Sequence, residues 1–257
     1  MSVIAIASAK GSPGVTTTAL ALAAVWPRRV LVAECDPVGG DLSYWFGQPA
    51  TPGLLTLGSA ARRGLSPAEL WRHTQVISGS LPVLLGVLVP EHAAALGPLW
   101  EELPAAFAEV GADVLIDCGR LDPPSPALAL VSTADLVIVM VRPDAPGISH
   151  LEGLLEMLAH SGTAASVVLL GERPYRAAEV QAALAERGRA VDVLSVVAVD
   201  PAAARRLAGG SGSDRALARS VLIRSARQLT EALGTRLDRA VGRDAPGAPE
   251  VTPDAGR

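Results

Sequence analysis

The sequence predicts one α/β domain with a mainly parallel sheet and helices on both faces. Three observations carry that reading. Apolar runs of strand length alternate with Ala/Leu-rich helical patterns through most of the 257 residues. Two of the runs, VLI before Asp117 and LVIVMV from Leu136, are continuously apolar, as in strands covered on both faces. No repeat or linker-like stretch divides the chain before residue 241, so residues 1–241 read as one domain. Residues 242–257, rich in Pro, Gly and Ala, read as a disordered tail.

The elements follow in order. Val3 to Ala7 is an apolar strand with no basic segment before it, which reads as a first strand and not a signal peptide. A turn of small residues leads into a helix from Thr16 to about Trp26, closed by Pro27. Val30 to Ala33 is a second buried strand, ending in AECDPVGGDLSYWFG. Between 50 and 110 the pattern is less regular: Ser66 or Pro67 opens a helix, and Leu81 to Val89 is a strand interrupted by Gly86. Glu91 to Glu109 is helical, with Pro98 and Pro104 breaking it. Strands at Ala112–Gly119, Ala134–Arg142, Ser166–Leu170 and Val191–Val199 alternate with helices at Ile148–Leu158 and Ala177–Glu186. A long helix, Ser213 to Val241, carries an apolar stripe of Leu217, Val221, Leu222, Ala226, Leu229, Leu233 and Leu237.

Composition narrows the class further. Half the residues are apolar and aromatics are few, so Ala, Val and Leu must build the core. Cys35 and Cys118 are far apart in sequence and give no disulfide framework, which fits a reducing cytoplasm. No apolar run is long enough to span a bilayer. The formal charge of −4 is uneven: residues 1–204 carry a net −8, whereas residues 205–239 carry +5, mostly as arginines along the last helix. Those arginines (Arg215, Arg219, Arg224, Arg227, Arg236 and Arg239) read either as a solvated helix face or as a surface for DNA phosphates.

Chemistry concentrates in two places. The first is KGSPGVTT, between the first strand and the first helix. A loop of small residues with a helix N-terminus behind it presents backbone N–H groups to an anion. Of the general phosphate-loop pattern G-x-x-x-x-G-K-[ST], Gly14 and Thr16 fit, while Ala9 and Val15 replace the first glycine and the lysine. Lys10 stands at the front of this loop and is the chain's one lysine against 21 arginines. The second place is ADVLIDCG, an apolar strand tipped by Asp117 about 100 residues later. An acid at such a tip beside a phosphate loop is placed to hold magnesium.

These residues resemble the deviant Walker A loop, K-G-G-x-G-K-[ST]-[ST], and the Walker B strand of the MinD/ParA family of dimerising ATPases. Gly11, Gly14, Thr16 and Thr17 match the loop, Ser12 replaces a glycine, and Val15 replaces the lysine that holds the β- and γ-phosphates. The resemblance implies a P-loop NTPase-like fold that binds ATP and Mg2+, with Thr16 and Asp117 at the metal. Lys10 would reach the nucleotide of a second subunit, and Asp36, in ECDP, would orient the attacking water. Glu34 stands where the family's first acid falls, Gly171 stands where it places a base-reading asparagine, and Asp200-Pro201 match the segment that closes over the base. Arg120, beside the Walker B acid, is unusual for the family and is expected to supply phosphate charge lost at Val15. The implied function is a nucleotide-dependent switch that forms a homodimer when loaded. It would serve chromosome partitioning, septum placement or a pilus or secretion machine through a further protein partner. A pseudo-ATPase scaffold that binds partners without turnover is the other reading. The tail lacks the amphipathic pattern of a membrane-targeting helix, so no direct membrane anchor is expected.

Overall fold

A computed structural model describes residues 1–11, 14–62 and 64–243, with the side chains of 240–243 left aside. Along the chain run β1 (Val3–Ser8), α1 (Val15–Ala23), β2 (Val30–Glu34), α2 (Leu42–Phe46), α3 (Leu54–Ala61) and α4 (Pro67–Arg72). Next come β3 (Gln75–Ile77), β4 (Leu81–Leu84), α5 (Pro90–Leu96), α6 (Leu99–Glu109), β5 (Asp113–Arg120), α7 (Leu128–Thr133) and β6 (Leu136–Val141). The rest are α8 (Ala145–His160), β7 (Ala165–Leu170), α9 (Ala177–Glu186), β8 (Val193–Val197), α10 (Pro201–Leu207), α11 (Asp214–Ala218) and α12 (Val221–Arg243).

The eight strands form one sheet in the order β3-β4-β2-β5-β1-β6-β7-β8. Every neighbouring pair is parallel except β3 with β4, so the fold is the expected single α/β domain with a mainly parallel sheet. Strand alternation divides the core into two layers. Ala5, Ala7, Leu31, Ala33, Val114 and Ile116 face a cluster completed by residues of α3 to α9. Ile4, Ile6, Val30, Val32 and Leu115 face the opposite cluster, completed by α1, α2, α10 and α12. The second layer is smaller, and the α12 stripe of Leu222, Ala226, Leu229, Leu233 and Leu237 closes it.

Three expectations need correction. Pro104 lies inside α6 and does not break it. The long C-terminal helix is two helices, α11 and α12, separated at Arg219-Ser220. Ser220 lets the chain restart by accepting the N–H of Ile223 at 3.1 Å. Its stripe also shifts: Val221 is 43 % exposed, and Ile223 takes the buried place. The third predicted strand is a hairpin of sorts, in which Leu81–Leu84 joins the sheet and Gln75–Ile77 pairs with it antiparallel. Beyond Leu84 the chain turns to deliver the Gly86 N–H to Glu34 instead of continuing the ladder. The boundary at 241/242 falls in α12, and the tail from 244 onward lies outside the described residues.

Candidate nucleotide and metal site

The site grows out of three chain reversals at the C-terminal ends of the central strands, where open α/β sheets bind ligands. After β1 the chain reaches Gly14, which caps α1 in the left-handed region (φ 76°, ψ 34°) without any side-chain cap. The N–H groups at the start of α1 therefore have no partner within the helix, and the helix dipole adds positive charge at that point. Thr16 and Thr17 belong to this first turn, and their sides line a cavity of about 450 Å3. Ser12 lies outside the described residues.

Across the cavity stand the tips of β2 and β5. They are paired Glu34 to Asp117, so alternation sends both side chains, and Asp36 after them, toward the α1 side of the sheet. Cys35 and Cys118 project into the opposite core cluster, both fully buried. The thiols are thus packing residues, and burial holds both pKa values well up.

The acids do different work. Glu34 is 2 % exposed and accepts two backbone N–H groups, Leu42 at 2.9 Å and Gly86 at 2.8 Å. It fastens the loop after β2 to the turn after β4. Gly40 is needed beside it, because a Cβ there would lie 2.1 Å from the carboxylate carbon. Burial pushes the Glu34 pKa up to about 7 against those two hydrogen bonds. Asp36 accepts the Val38 N–H at 2.8 Å, closing the turn after the strand, and still lines the cavity. Its pKa is raised to about 6, by burial first and then by the charges of Asp117 and Asp41. Gly119 makes room for it: φ is +58°, and a Cβ would fall 1.9 Å from Asp36 Oδ2.

Asp117 is the least satisfied member. It is 1 % exposed, and its Oδ1 accepts the Gly119 N–H at 3.0 Å. Its Oδ2 is buried without a hydrogen-bond partner among the described residues. Burial raises its pKa, while the Thr16 hydroxyl and the Gly119 N–H pull it down. A buried, unpartnered carboxylate oxygen beside a threonine hydroxyl is a donor set that magnesium fits, with phosphate and water completing the shell. Among the described residues no cluster of three or more His, Cys, Asp or Glu could hold a metal unaided.

Of the residues expected at the site, Gly11, Gly14, Val15, Thr16, Thr17, Asp36 and Asp117 all line this cavity. Val15 does so only at its edge, being 5 % exposed and packed in the α1-side core cluster. Lys10 does not line it. It is exposed and borders a separate hollow of about 210 Å3 with Arg142 and the start of α8. Asp200 and Pro201 are also absent from the lining: Asp200 caps α10, its Oδ1 accepting the Ala203 N–H at 3.0 Å, with Pro201 as the first helical residue. Gly171 occupies a left-handed turn (φ +77°) bonded to the Val197 carbonyl. The cavity also takes in Asp41, Asp122 and Trp45, which the motifs do not mark, and Arg120, the cation among its described lining.

The fold is that of the MinD/ParA type of P-loop NTPase. The chain superimposes on the Mg-ADP complex of the septum site-determining protein MinD from Pyrococcus horikoshii with a TM-score of 0.70. Identity is 19 %, and the match covers 93 % of this chain and 98 % of that one. A ParA family ATPase from Chlorobium tepidum is equally similar, with TM-score 0.70, 19 % identity, and 90 % and 98 % of the two chains covered. An ATP complex of a Cyanothece McdA variant follows at TM-score 0.67 and 19 % identity, over 91 % and 96 % of the two chains. No protein-family model and no curated protein sequence matches the chain. Among the described residues no helix is long and apolar enough to cross a membrane.

Proposed function

We propose that this protein is a MinD/ParA-like spatial-positioning switch of the cytoplasm that binds ATP with magnesium and turns it over slowly or not at all. The observation that carries the reading is the buried, unpartnered Oδ2 of Asp117 beside Thr16, at the open N-terminus of α1. Buried at 1 % exposure, such an oxygen is costly, and it is explained if a cation completes it. Thr16 and Asp117 hold that cation, and the first-turn N–H groups of α1 bind phosphate oxygens. Asp36 accepts the proton of, or orients, a water at the far side of the cavity. Bound magnesium supplies the positive charge that a triphosphate needs in an acidic pocket. Asp200-Pro201, at the start of α10, would close over a base.

Lys10 belongs to a different surface. It is exposed beside the cavity rather than in it, which suits a lysine that completes the site of a second copy in a nucleotide-bound homodimer. Slow turnover follows from Val15. An apolar side chain packed in the core supplies no charge to a transferring phosphoryl group, and losing such a charge costs about 100-fold or more in rate. The same valine favours the second reading, a scaffold that keeps the partner surfaces and has given up turnover.

Calorimetric titration with ATP–Mg tests the proposal, using the full chain and its Asp117→Asn variant. Micromolar binding that Asp117→Asn weakens tenfold or more supports the switch. No heat from a folded protein at high nucleotide concentration leaves the scaffold. Sedimentation with ATP–Mg then separates the role of Lys10: Lys10→Ala is expected to abolish the dimer while leaving the monomer's nucleotide affinity nearly unchanged. For the arginine face, Arg219, Arg224 and Arg227 are exposed, whereas Arg236 is held by Asp192 at 2.7 Å. If the first three contact DNA, neutralising them together lowers affinity and flattens its salt dependence. Salt-insensitive or absent binding removes DNA from the partners.

A further inference from the structure

A second concavity, about 670 Å3 in volume, lies at the other end of the sheet and belongs to no part of the nucleotide site. Its walls include Val30 and Leu81, the first residues of β2 and β4, and the C-terminal residues of α1. Leu20, Phe46, Trp71 and Leu81 make it apolar. Its charge is of one sign: Arg28 and Arg29 line it, and no carboxylate does among the described lining. Arg28 is committed inward, its Nε 2.7 Å from the buried Asp113. Arg29 is placed differently. Its guanidinium lies 4.2 Å over the Trp71 ring, and among the described residues no carboxylate pairs with it. Stacking fixes a guanidinium's plane while leaving its edge donors open, the geometry that grips a carboxylate in two parallel hydrogen bonds. The edge strand beside the groove leaves Val76 59 % exposed.

We propose that this groove is a docking site for an extended acidic segment of a protein partner, with an apolar side chain seated between Phe46 and Trp71 and an Asp or Glu carboxylate on Arg29. Charge complementarity at the cleft itself selects the occupant: an apolar lining that holds two arginines, one of them stacked and open, and no carboxylate among its described residues favours a segment that pairs carboxylates with apolar anchors.

The test is selection of a random twelve-residue peptide library on the immobilised full chain, followed by fluorescence anisotropy of labelled winners. Two variants carry the comparison. Arg29→Glu reverses the charge, and Ala24→Glu places a carboxylate on an exposed part of the wall without touching the core. Circular dichroism and melting confirm that both are folded. Enrichment of Asp or Glu next to an apolar residue, with affinity falling at least tenfold in both variants, is the expected result. Failure to enrich any sequence, enrichment of basic peptides, or winners that bind both variants as tightly as the parent would each overturn it. Two other occupants would also overturn it: decanoate raising the melting temperature of the parent but not of Ala24→Glu while peptides fail, or a dimer lost in Ala24→Glu. Nucleotide is omitted throughout, so a failed ATP titration does not bear on the outcome.

Discussion

The two sides of the cavity at the strand tips differ. On the phosphate side, the first turn of α1 keeps the backbone of an anion site but seats Val15 in the core where the motif has a lysine. On the side of the proposed metal, acids predominate: Glu34, Asp36, Asp41, Asp117 and Asp122 all line the cavity, together with Arg120. The difference teaches that the two sides part by charge: the first turn of α1 brings no cation, and the strand tips and the loops after them bring five acids. The open N-terminus of α1 suits an anion, yet the side chains of the cavity favour a cation. Loading by nucleotide should therefore depend more steeply on magnesium than in a site that carries its own lysine.

Breaking the metal side should have the largest effect. Asp117→Asn is expected to lower magnesium-dependent nucleotide affinity about 100-fold by calorimetry. Because it also removes an orphaned buried charge, it should leave the protein as stable as the parent or more so. A parallel loss of stability and affinity would mean that Asp117 is merely structural. Next comes Glu34, which distinguishes a carboxylate that binds backbone from one that binds cation. Glu34→Ala strands the Leu42 and Gly86 N–H groups, and urea unfolding should show a loss of about 2–3 kcal/mol.

The pH dependence of Glu34 has a definite sign. Its folded pKa, about 7, lies above its ordinary value of 4.5, so the native state binds the extra proton. The stability this contributes is full below about pH 4.5 and is lost as pH rises through 7. Parent stability should accordingly decline between pH 5 and 8 relative to Glu34→Gln in parallel denaturation series. Over the same interval magnesium should bind more tightly as pH rises, since Asp36, raised to about 6, gives up its proton.

The phosphate side sharpens the comparison with smaller effects. Val15→Lys should tighten ATP–Mg binding about tenfold and create or raise turnover, at a cost of about 1 kcal/mol from lost packing. Arg120→Ala should weaken ATP–Mg binding about threefold to fivefold in the parent, and less once Val15→Lys is present. An unchanged affinity in Arg120→Ala would show that the arginine among the acids does not reach the phosphates.

Much of this was legible in the sequence because the signals were local. Parallel strands buried on both faces announce themselves as continuous apolar runs, and α9 falls on Ala177–Glu186 as its periodicity predicts. That Gly14, Thr16, Asp36 and Asp117 line one cavity is legible because a strand, a loop of small residues and an acid at a strand tip occur in a fixed order. What escaped depends on partners distant in sequence. The three residues of β3 have no pattern of their own and exist only against β4. Glu34 matches a family acid by position, but its work is to hold Leu42 and Gly86, the latter 52 residues away. The clue was Gly39-Gly40 just downstream, since a pair of glycines after an acid can signal that backbone must come close to it. Lys10 stood out by being the chain's one lysine, yet nothing in the sequence says that it points away from the loop's own cavity.

One short element joins the two concavities. Trp45 borders the cavity at the strand tips and Phe46 the groove at the far end, and both belong to the five residues of α2. The helix begins at Leu42, whose N–H hangs on Glu34. A ligand that displaces α2 from either side must change the affinity on the other by the same factor, since linkage is reciprocal. Five residues and one carboxylate would then set the exchange rate between a nucleotide and a distant guest.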